Sequence, residues 1–264
     1  MVHEVWALGD AYEAYVGRWS RPVAEAFVHW LDLPRGGSWL DVGCGTGALT
    51  QTLLALSQPG RVVGVDSSEG FLAGARARTR TGTATFCAGD AQRLPLPDRL
   101  FDAVVSGLAL NFVPAPERAA HELARVTRVG GVAAAYVWDY ADGMGMLRYF
   151  WDAAADLDGA AGELDEGQRF PMCRPDPLAD LWSRAGLKEV GVHPIEIATV
   201  FGDFEDYWGP FLGGQGPAPG YVTALSERDR SSLRDLLRQR LPCRQDGSIA
   251  LTARAWAVRG TVAE

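Results

Sequence analysis

A chain of 264 residues, 47% hydrophobic and 22% charged, is long enough to bury one large core, or a core with a cap. Its net charge of −8 argues against a nucleic-acid partner, because phosphate binding calls for clustered Lys and Arg. The four cysteines, Cys44, Cys87, Cys173 and Cys243, are scattered without a C-x-x-C pair, which suggests neither a metal site nor a disulfide framework. There is no basic-then-apolar leader and no run approaching a membrane span, so a cytoplasmic protein is expected.

In chain order, Tyr12, Tyr15, Val16 and Trp19 share one helical stripe. Ser20 reads as an N-cap with Pro22 in the first turn, and Val23, Ala26, Phe27, Trp30 and Leu31 continue as an amphipathic helix that Leu33-Pro34-Arg35-Gly36-Gly37 stops. Trp39, Leu40 and Val42 make a short buried strand. A glycine turn follows, and Ala48, Leu49, Thr52, Leu53 and Leu56 then form the stripe of a helix. Arg61–Asp66 and Thr83–Asp90 are strands that each end in an acid, with a helix over Ser68–Arg78 between them, and Leu100–Ser106 is a fourth strand. Pro116 opens a helix with Ala120, Leu123 and Ala124 inward, ended by a glycine cap at Gly130-Gly131, before the fifth strand Val132–Trp138.

Asp139 to Gly186 reads as an insertion with two helices. The first carries Leu147, Phe150, Trp151 and Ala154 on one face; the second, around Leu178, Leu181, Trp182 and Ala185, is capped by Asp176. Lys188–Phe201 alternates as a sixth strand, Gly202–Gly220 is a loop rich in aromatics, glycine and proline, Ser226 caps a basic helix, and Ser248–Val258 is the last strand. Strands alternating with helices predict an α/β fold over residues 1–264: a doubly wound, seven-stranded, mostly parallel sheet with helices on both faces.

The glycine turn has the spacing G-x-G-x-G, not the G-x-G-x-x-G of dinucleotide sites, and Asp41 stands two residues before its first glycine. Glycines let a ligand approach the backbone without meeting a Cβ atom, and the turn feeds a helix N-terminus with unpaired N–H groups. Asp41-x-Gly43-x-Gly45-x-Gly47 resembles motif I of the class I S-adenosylmethionine (AdoMet) methyltransferases. For the loop by itself, a plain glycine-containing αβ turn is the alternative. The resemblance implies that Asp41 lies near the ligand's methionine ammonium, a charge-assisted contact, with Gly43, Cys44, Gly45 and Gly47 beneath methionine and ribose.

Asp66 lies about 20 residues beyond Gly47, the spacing at which a βαβ acid reaches a ribose hydroxyl pair. It therefore reads as the ribose ligand, with Ser67 assisting through its backbone; a helix N-cap is the alternative. Gly89–Asp98 resembles the family's adenine segment, which implies that Asp90 accepts from the exocyclic amine while the Ala91 N–H serves a ring nitrogen. A carboxylate buried at a strand end would need such a donor. Ser106 joins this set from the end of the fourth strand. Residues 12–20 resemble the N-terminal lid of small-molecule methyltransferases, with Tyr15 on the cofactor side. On this reading residues 1–37 are a helical lid, 38–138 the AdoMet-binding core, 139–187 a helical cap, and 188–264 the C-terminal strands and a substrate-side loop.

The resemblance, carried by residues 12–138, is to the ubiquinone/menaquinone-type and natural-product enzymes. The reaction it implies is in-line displacement at the sulfonium methyl of AdoMet, leaving S-adenosylhomocysteine (AdoHcy), driven mainly by positioning. His3, His29, His121 and His193 read as surface or sheet residues, and no residue declares itself catalytic. Tyr12, Trp19, Asn111, Asp139, Tyr140, Tyr207, Trp208 and Phe211 are the candidates for the substrate side, where apolar anchors suit a small aromatic acceptor, although packing against the sheet explains the aromatics as well. Ser106-Gly107-Leu108-Ala109 replaces the Asn/Asp-Pro-Pro-aromatic element of nucleobase amino methyltransferases, which disfavours base methylation. The alternatives are a protein or RNA methyltransferase, and an AdoMet-binding protein of the same fold with another reaction or none. No metal is expected, and the oligomeric state is open.

Overall fold

The computed structural model describes residues 17–213 and 216–263. Tyr12 and Tyr15 of the expected lid lie outside the described residues. A 3-10 turn, Gly17–Trp19, leads into helix α1 (Ser20–Leu31). Strand β1 (Ser38–Val42), helix α2 (Ala48–Leu56), β2 (Arg61–Asp66), α3 (Glu69–Arg78), β3 (Ala84–Ala88), β4 (Phe101–Gly107), α4 (Pro116–Val126) and β5 (Thr127–Trp138) follow. Then come α5 (Gly145–Leu157), α6 (Pro175–Arg184), β6 (Lys188–Phe201), α7 (Pro217–Ala224), α8 (Glu227–Arg240) and β7 (Ile249–Thr261).

The seven strands form one sheet in the order β3-β2-β1-β4-β5-β7-β6, with helices on both sides. β1, β2, β3, β4 and β5 pair in parallel. β7 runs against β5: Gly130 and Val262 are linked by Gly130 N–H to Val262 O at one end, and Asp139 N–H donates to Arg254 O at the other. The sheet is therefore mixed, with a parallel core, as the alternation of elements predicts. Near-continuous apolar runs in β1 and β4 match their burial on both faces, whereas β3 and β6 are edge strands with few buried positions.

The chain divides into two compact units. One comprises Ser20–Val137, Met172–Ile195 and Ala255–Glu264. Its core holds Phe27, Leu31, Trp39, Leu40, Leu53, Val104, Leu123 and Trp182, with the Trp182 indole N–H donating to Ala133 O at 3.0 Å. The other comprises Trp138–Pro171 and Glu196–Arg254 together with Gly17–Trp19. Its core is aromatic: Phe150 stacks on Phe211 at 4.5 Å, and Tyr207 lies between Phe201 and Phe211 at 5.3 and 5.4 Å.

Local structure departs from the sequence reading at five places. Helix α4 ends at Val126 with Thr127 as an extended C-cap, so Gly130-Gly131 does not cap it but sits within β5, where Gly130 (φ +71°) accompanies a register shift against β4. Arg174, not Asp176, is the N-cap of α6, and Asp176 stands in its first turn. Ser20 is the first residue of α1. The presumed loop after β6 is largely helical, with a helical turn at Phe204–Trp208, a 3-10 segment at Gly209–Gly213, and α7. The apolar side chains that made it look like a wall are what these short helices bury. Asp90 is exposed, because β3 is an edge strand that stops two residues earlier.

Candidate active site

Everything expected to hold a cofactor, Tyr15 apart, falls in the first unit, at the carboxyl ends of β1, β2, β3 and β4. Beside β1 the strand order reverses, between β2 and β4, where open α/β sheets bind ligands. The glycine turn is tied to β2 by two bonds, from Gly43 N–H and Cys44 N–H to Val65 O at 2.7 and 3.1 Å. Gly43, Gly45 and Gly47 all have left-handed φ, +73°, +53° and +90°. A Cβ on Gly43 would stand 2.5 Å from the Cβ of Ala109, whereas one on Gly45 would meet nothing within 4 Å. The first glycine is thus fixed by packing, and the second leaves open space above the backbone. Gly47 is the N-cap of α2 and supplies no side-chain cap to the orphan N–H groups of that helix.

Asp41 is 1% exposed. Its Oδ2 accepts from the Thr50 hydroxyl at 2.7 Å, and its Oδ1 is buried without a partner. Burial is the main reason its carboxyl is pushed up to about 7, and the neighbouring Asp66 adds to it. The same burial raises the Cys44 thiol, so that side chain is an inert packing group beside Gly64. Asp66 splits its carboxylate: Oδ2 accepts from Gly45 N–H at 2.9 Å and Oδ1 from Ser68 N–H at 2.8 Å. It braces the glycine turn and keeps a second lone pair on each oxygen. The cap of α3 is Ser68, whose hydroxyl accepts from Phe71 N–H, so Asp66 is not the N-cap. Ser67 beside it is exposed.

Asp90 takes Gln92 N–H at 2.8 Å and the Gln92 amide at 3.0 Å, contacts that hold its carboxyl below the usual range. The burial assumed for it is corrected: its acceptor capacity faces solvent, while Ala91 is half-buried. Ser106 is buried near the end of β4. Beyond it Leu108 adopts φ +57°, a conformation costly for a bulky residue, and its N–H donates to Tyr136 O at 2.8 Å. Asn111 follows in a 3-10 turn, 7% exposed, with neither side-chain nitrogen nor oxygen partnered.

The remaining substrate-side candidates belong to the second unit. Tyr207, Trp208 and Phe211 are core residues, and the Tyr207 hydroxyl donates to Met146 O at 2.8 Å. Asp139 is buried and committed: Oδ2 accepts from Arg254 Nε at 2.7 Å and Oδ1 from Asp142 N–H at 3.1 Å. Tyr140 is buried with its ring 5.5 Å from Phe170. Trp19 lies edge-on to Phe201 at 5.8 Å under the Arg18 guanidinium, which is itself paired with Asp206 at 2.7 Å.

Sequence reasoning missed three supporting groups. Thr50 was legible as a polar residue on the buried side of α2, beside Leu49 and Leu53. Ala109 carried no signal, since its role is only to touch Gly43. Glu122 and Arg125 clamp the segment after Asp90: Glu122 accepts from Leu94 N–H at 2.7 Å, and Arg125 donates to Leu96 O at 2.9 Å.

Comparison with known proteins decides the family. Residues 40–135 match the methyltransferase-domain family. A demethylmenaquinone methyltransferase of Bacillus licheniformis is 30% identical over 179 residues, 62% of this chain and 76% of that protein. A 2-phytyl-1,4-naphtoquinone methyltransferase of Thermosynechococcus vestitus is 32% identical over 181 residues, 64% of this chain and 80% of that one. The chain belongs to the class I AdoMet-dependent methyltransferases. Among solved structures, this methyltransferase shares its fold with phosphoethanolamine N-methyltransferase 2 of Haemonchus contortus in complex with AdoMet, at a TM-score of 0.62 and 15% identity over 97% of this chain and 56% of that one. It also shares it with a [4+2]-cyclase, SpnF, at a TM-score of 0.52 and 19% identity over 94% and 82%. The chain is thus an enzyme of the AdoMet-dependent methyltransferase kind. Among its described residues no helix is long and apolar enough to cross a membrane, and no group of three His, Cys, Asp or Glu could hold a metal ion.

Proposed function

We propose that AdoMet is held by the first unit and that the acceptor is a small, apolar, aromatic molecule of the hydroquinone kind. The observation that carries the cofactor assignment is the unpartnered Oδ1 of Asp41, a buried anion-to-be beside a left-handed glycine turn with open space over Gly45. A buried carboxylate oxygen wants a donor, and an ammonium supplies one with charge. The residues present therefore fit AdoMet. Gly45 leaves room for its methionine and ribose in a turn that Gly43 and Gly47 shape, Asp66 offers its spare lone pairs to the ribose hydroxyls, and Asp90 and Ala91 take the adenine edge. When bound, AdoMet supplies an electrophilic methyl carbon on a sulfonium.

The chain's own part is positioning. Thr50 fixes the Asp41 carboxylate, Val65 O fixes the turn, and holding reactants in line is worth on the order of 7–11 kcal/mol at best. The acceptor class is supported by the quinone-methylating relatives, by an acidic chain that suits a neutral acceptor better than a nucleic acid, and by the absence of the Pro-Pro element after β4. We assign residues 38–138 to cofactor binding and place the enzyme in the cytoplasm.

Titration calorimetry with AdoHcy tests the site. Asp66→Ala should weaken binding by ~10- to 100-fold, the loss of a charge-assisted bond of roughly 1.5–3 kcal/mol. Unchanged affinity in a folded variant would remove Asp66 from the site. Transfer to 1,4-naphthohydroquinone but not to tRNA or to a charged amine tests the acceptor class; the reverse preference would refute it.

A further inference from the structure

Asn111 is the one described residue whose side chain has both of its polar atoms buried and without partners. It is 7% exposed, so solvent does not satisfy it either. Native interiors rarely leave such a group, and when they do the usual reason is a ligand, an ion or a water that belongs there. The place narrows the choice. Asn111 sits in the 3-10 turn Leu110–Phe112, held by Phe112 N–H on Ala109 O at 3.0 Å and Val113 N–H on Leu110 O at 3.2 Å. Ala109, two residues earlier, is packed against Gly43, and β4 pairs with β1 up to Asp41 and Val105. The turn therefore abuts the glycine loop. Its entry is strained at Leu108, the sole apolar residue other than glycine with positive φ among the described ones, and strain of this kind persists where surrounding structure over-determines a functional geometry.

We propose that Asn111 is the acceptor-binding residue of this methyltransferase, and that its amide holds an oxygen function carried by the acceptor beside the atom to be methylated. This rests on the cofactor and acceptor reading above and deepens it. The amide presents a donor pair and an acceptor at one point, complementary to a hydroxyl, which can both donate and accept, or to a carbonyl, which accepts. A hydrocarbon would leave both amide atoms unsatisfied, and an ammonium, which has no lone pair, would leave Nδ2 without an acceptor. Asn111 orients the acceptor and takes no proton.

The test compares parent, Asn111→Leu and Asn111→Asp by thermal unfolding without ligand, by AdoHcy calorimetry, and by methyl transfer from AdoMet to 1,4-naphthohydroquinone. Leucine has the shape of asparagine without the orphaned atoms. The melting temperature of Asn111→Leu should hold or rise, its AdoHcy affinity should stay within about twofold, and kcat/KM for the hydroquinone should fall ~10- to 100-fold. Asn111→Asp, which keeps one acceptor and loses the donors, should fall between, and its loss should appear in KM. A lower melting temperature for Asn111→Leu would make the amide structural, and a tenfold loss of AdoHcy affinity would make it a cofactor ligand; either overturns the inference. Full activity of Asn111→Leu in a protein whose parent methylates the hydroquinone overturns the inference alone. A parent that binds AdoHcy and methylates 1-naphthylamine but not the hydroquinone overturns the acceptor reading and the inference with it, as does one that methylates neither.

Discussion

Replacing Asp41 by asparagine is expected to stabilise the ligand-free protein at pH 8 while cutting its affinity for AdoHcy about 30-fold or more. Asp41 is fully buried, and its carboxyl is carried from 3.8 up to about 7. The folded state therefore binds more protons than the unfolded chain between those values, and stability must fall as pH rises from about 4 through about 7. The cost, fully present above the folded value, is on the order of 4 kcal/mol. Asparagine keeps the shape and an oxygen for the Thr50 hydroxyl but carries no charge to desolvate. Urea unfolding across pH 4.5 to 8.5 should show a falling curve for the parent and a flatter one for Asp41→Asn, with the variant the more stable at pH 8. The ligand ammonium would lose its buried partner, a change of roughly 2–5 kcal/mol in such pairs. For the same reason AdoHcy affinity of the parent should rise from pH 6 to pH 8. Parallel unfolding curves, or unchanged affinity in the variant, would mean that Asp41 is a neutral packing group.

Gly43→Ala should abolish measurable AdoHcy binding and lower stability by roughly 2–5 kcal/mol, combining left-handed strain of about 1–2 kcal/mol with an overpacking cost of about 1–3 kcal/mol. The geometry is specific: φ is +73°, and the new methyl would stand 2.5 Å from the Ala109 Cβ. The two costs separate in a double-mutant cycle. Gly43→Ala with Ala109→Gly removes the clash but not the strain, so it should recover about half of the lost stability and little of the binding. Gly45→Ala, where a Cβ meets no protein atom, should cost stability through φ only and yet still impair binding, because the ligand needs that space. A Gly45→Ala variant with parental affinity would place the ligand elsewhere.

The parallel core was legible because β1, β2 and β4 are apolar runs bounded by glycine turns and acids, a local pattern that survives tertiary context. The carboxyl-end acids Asp41 and Asp66 could be read for the same reason, since spacing alone puts them on one edge of a sheet. What sequence could not give was environment. Asp90 and Asp41 both come at the end of apolar stretches, but one lies just beyond an edge strand and is exposed while the other lies in a central strand and is buried. Strand order, not composition, decides between them. Tyr207, Trp208 and Phe211 looked like pocket anchors because aromatic clusters next to glycines suit both a ligand wall and a core, and only the stacking of Phe211 on Phe150 tells them apart. Asn111 was legible as a polar residue after the fourth strand and a substrate-side candidate, but that both its polar atoms are buried without partners is a property no pattern of residue types contains.

The central claim is that this chain moves a methyl group from AdoMet to a small oxygen-bearing aromatic acceptor. The most direct measurement is incubation of the purified enzyme with AdoMet carrying a deuterated methyl group and 1,4-naphthohydroquinone, followed by mass spectrometry of both products. The account predicts a hydroquinone carrying one deuterated methyl group and an equal amount of AdoHcy, both lost together in Gly43→Ala. AdoHcy binding at full occupancy with no labelled acceptor, or label on the acceptor undiminished by Gly43→Ala, would contradict it.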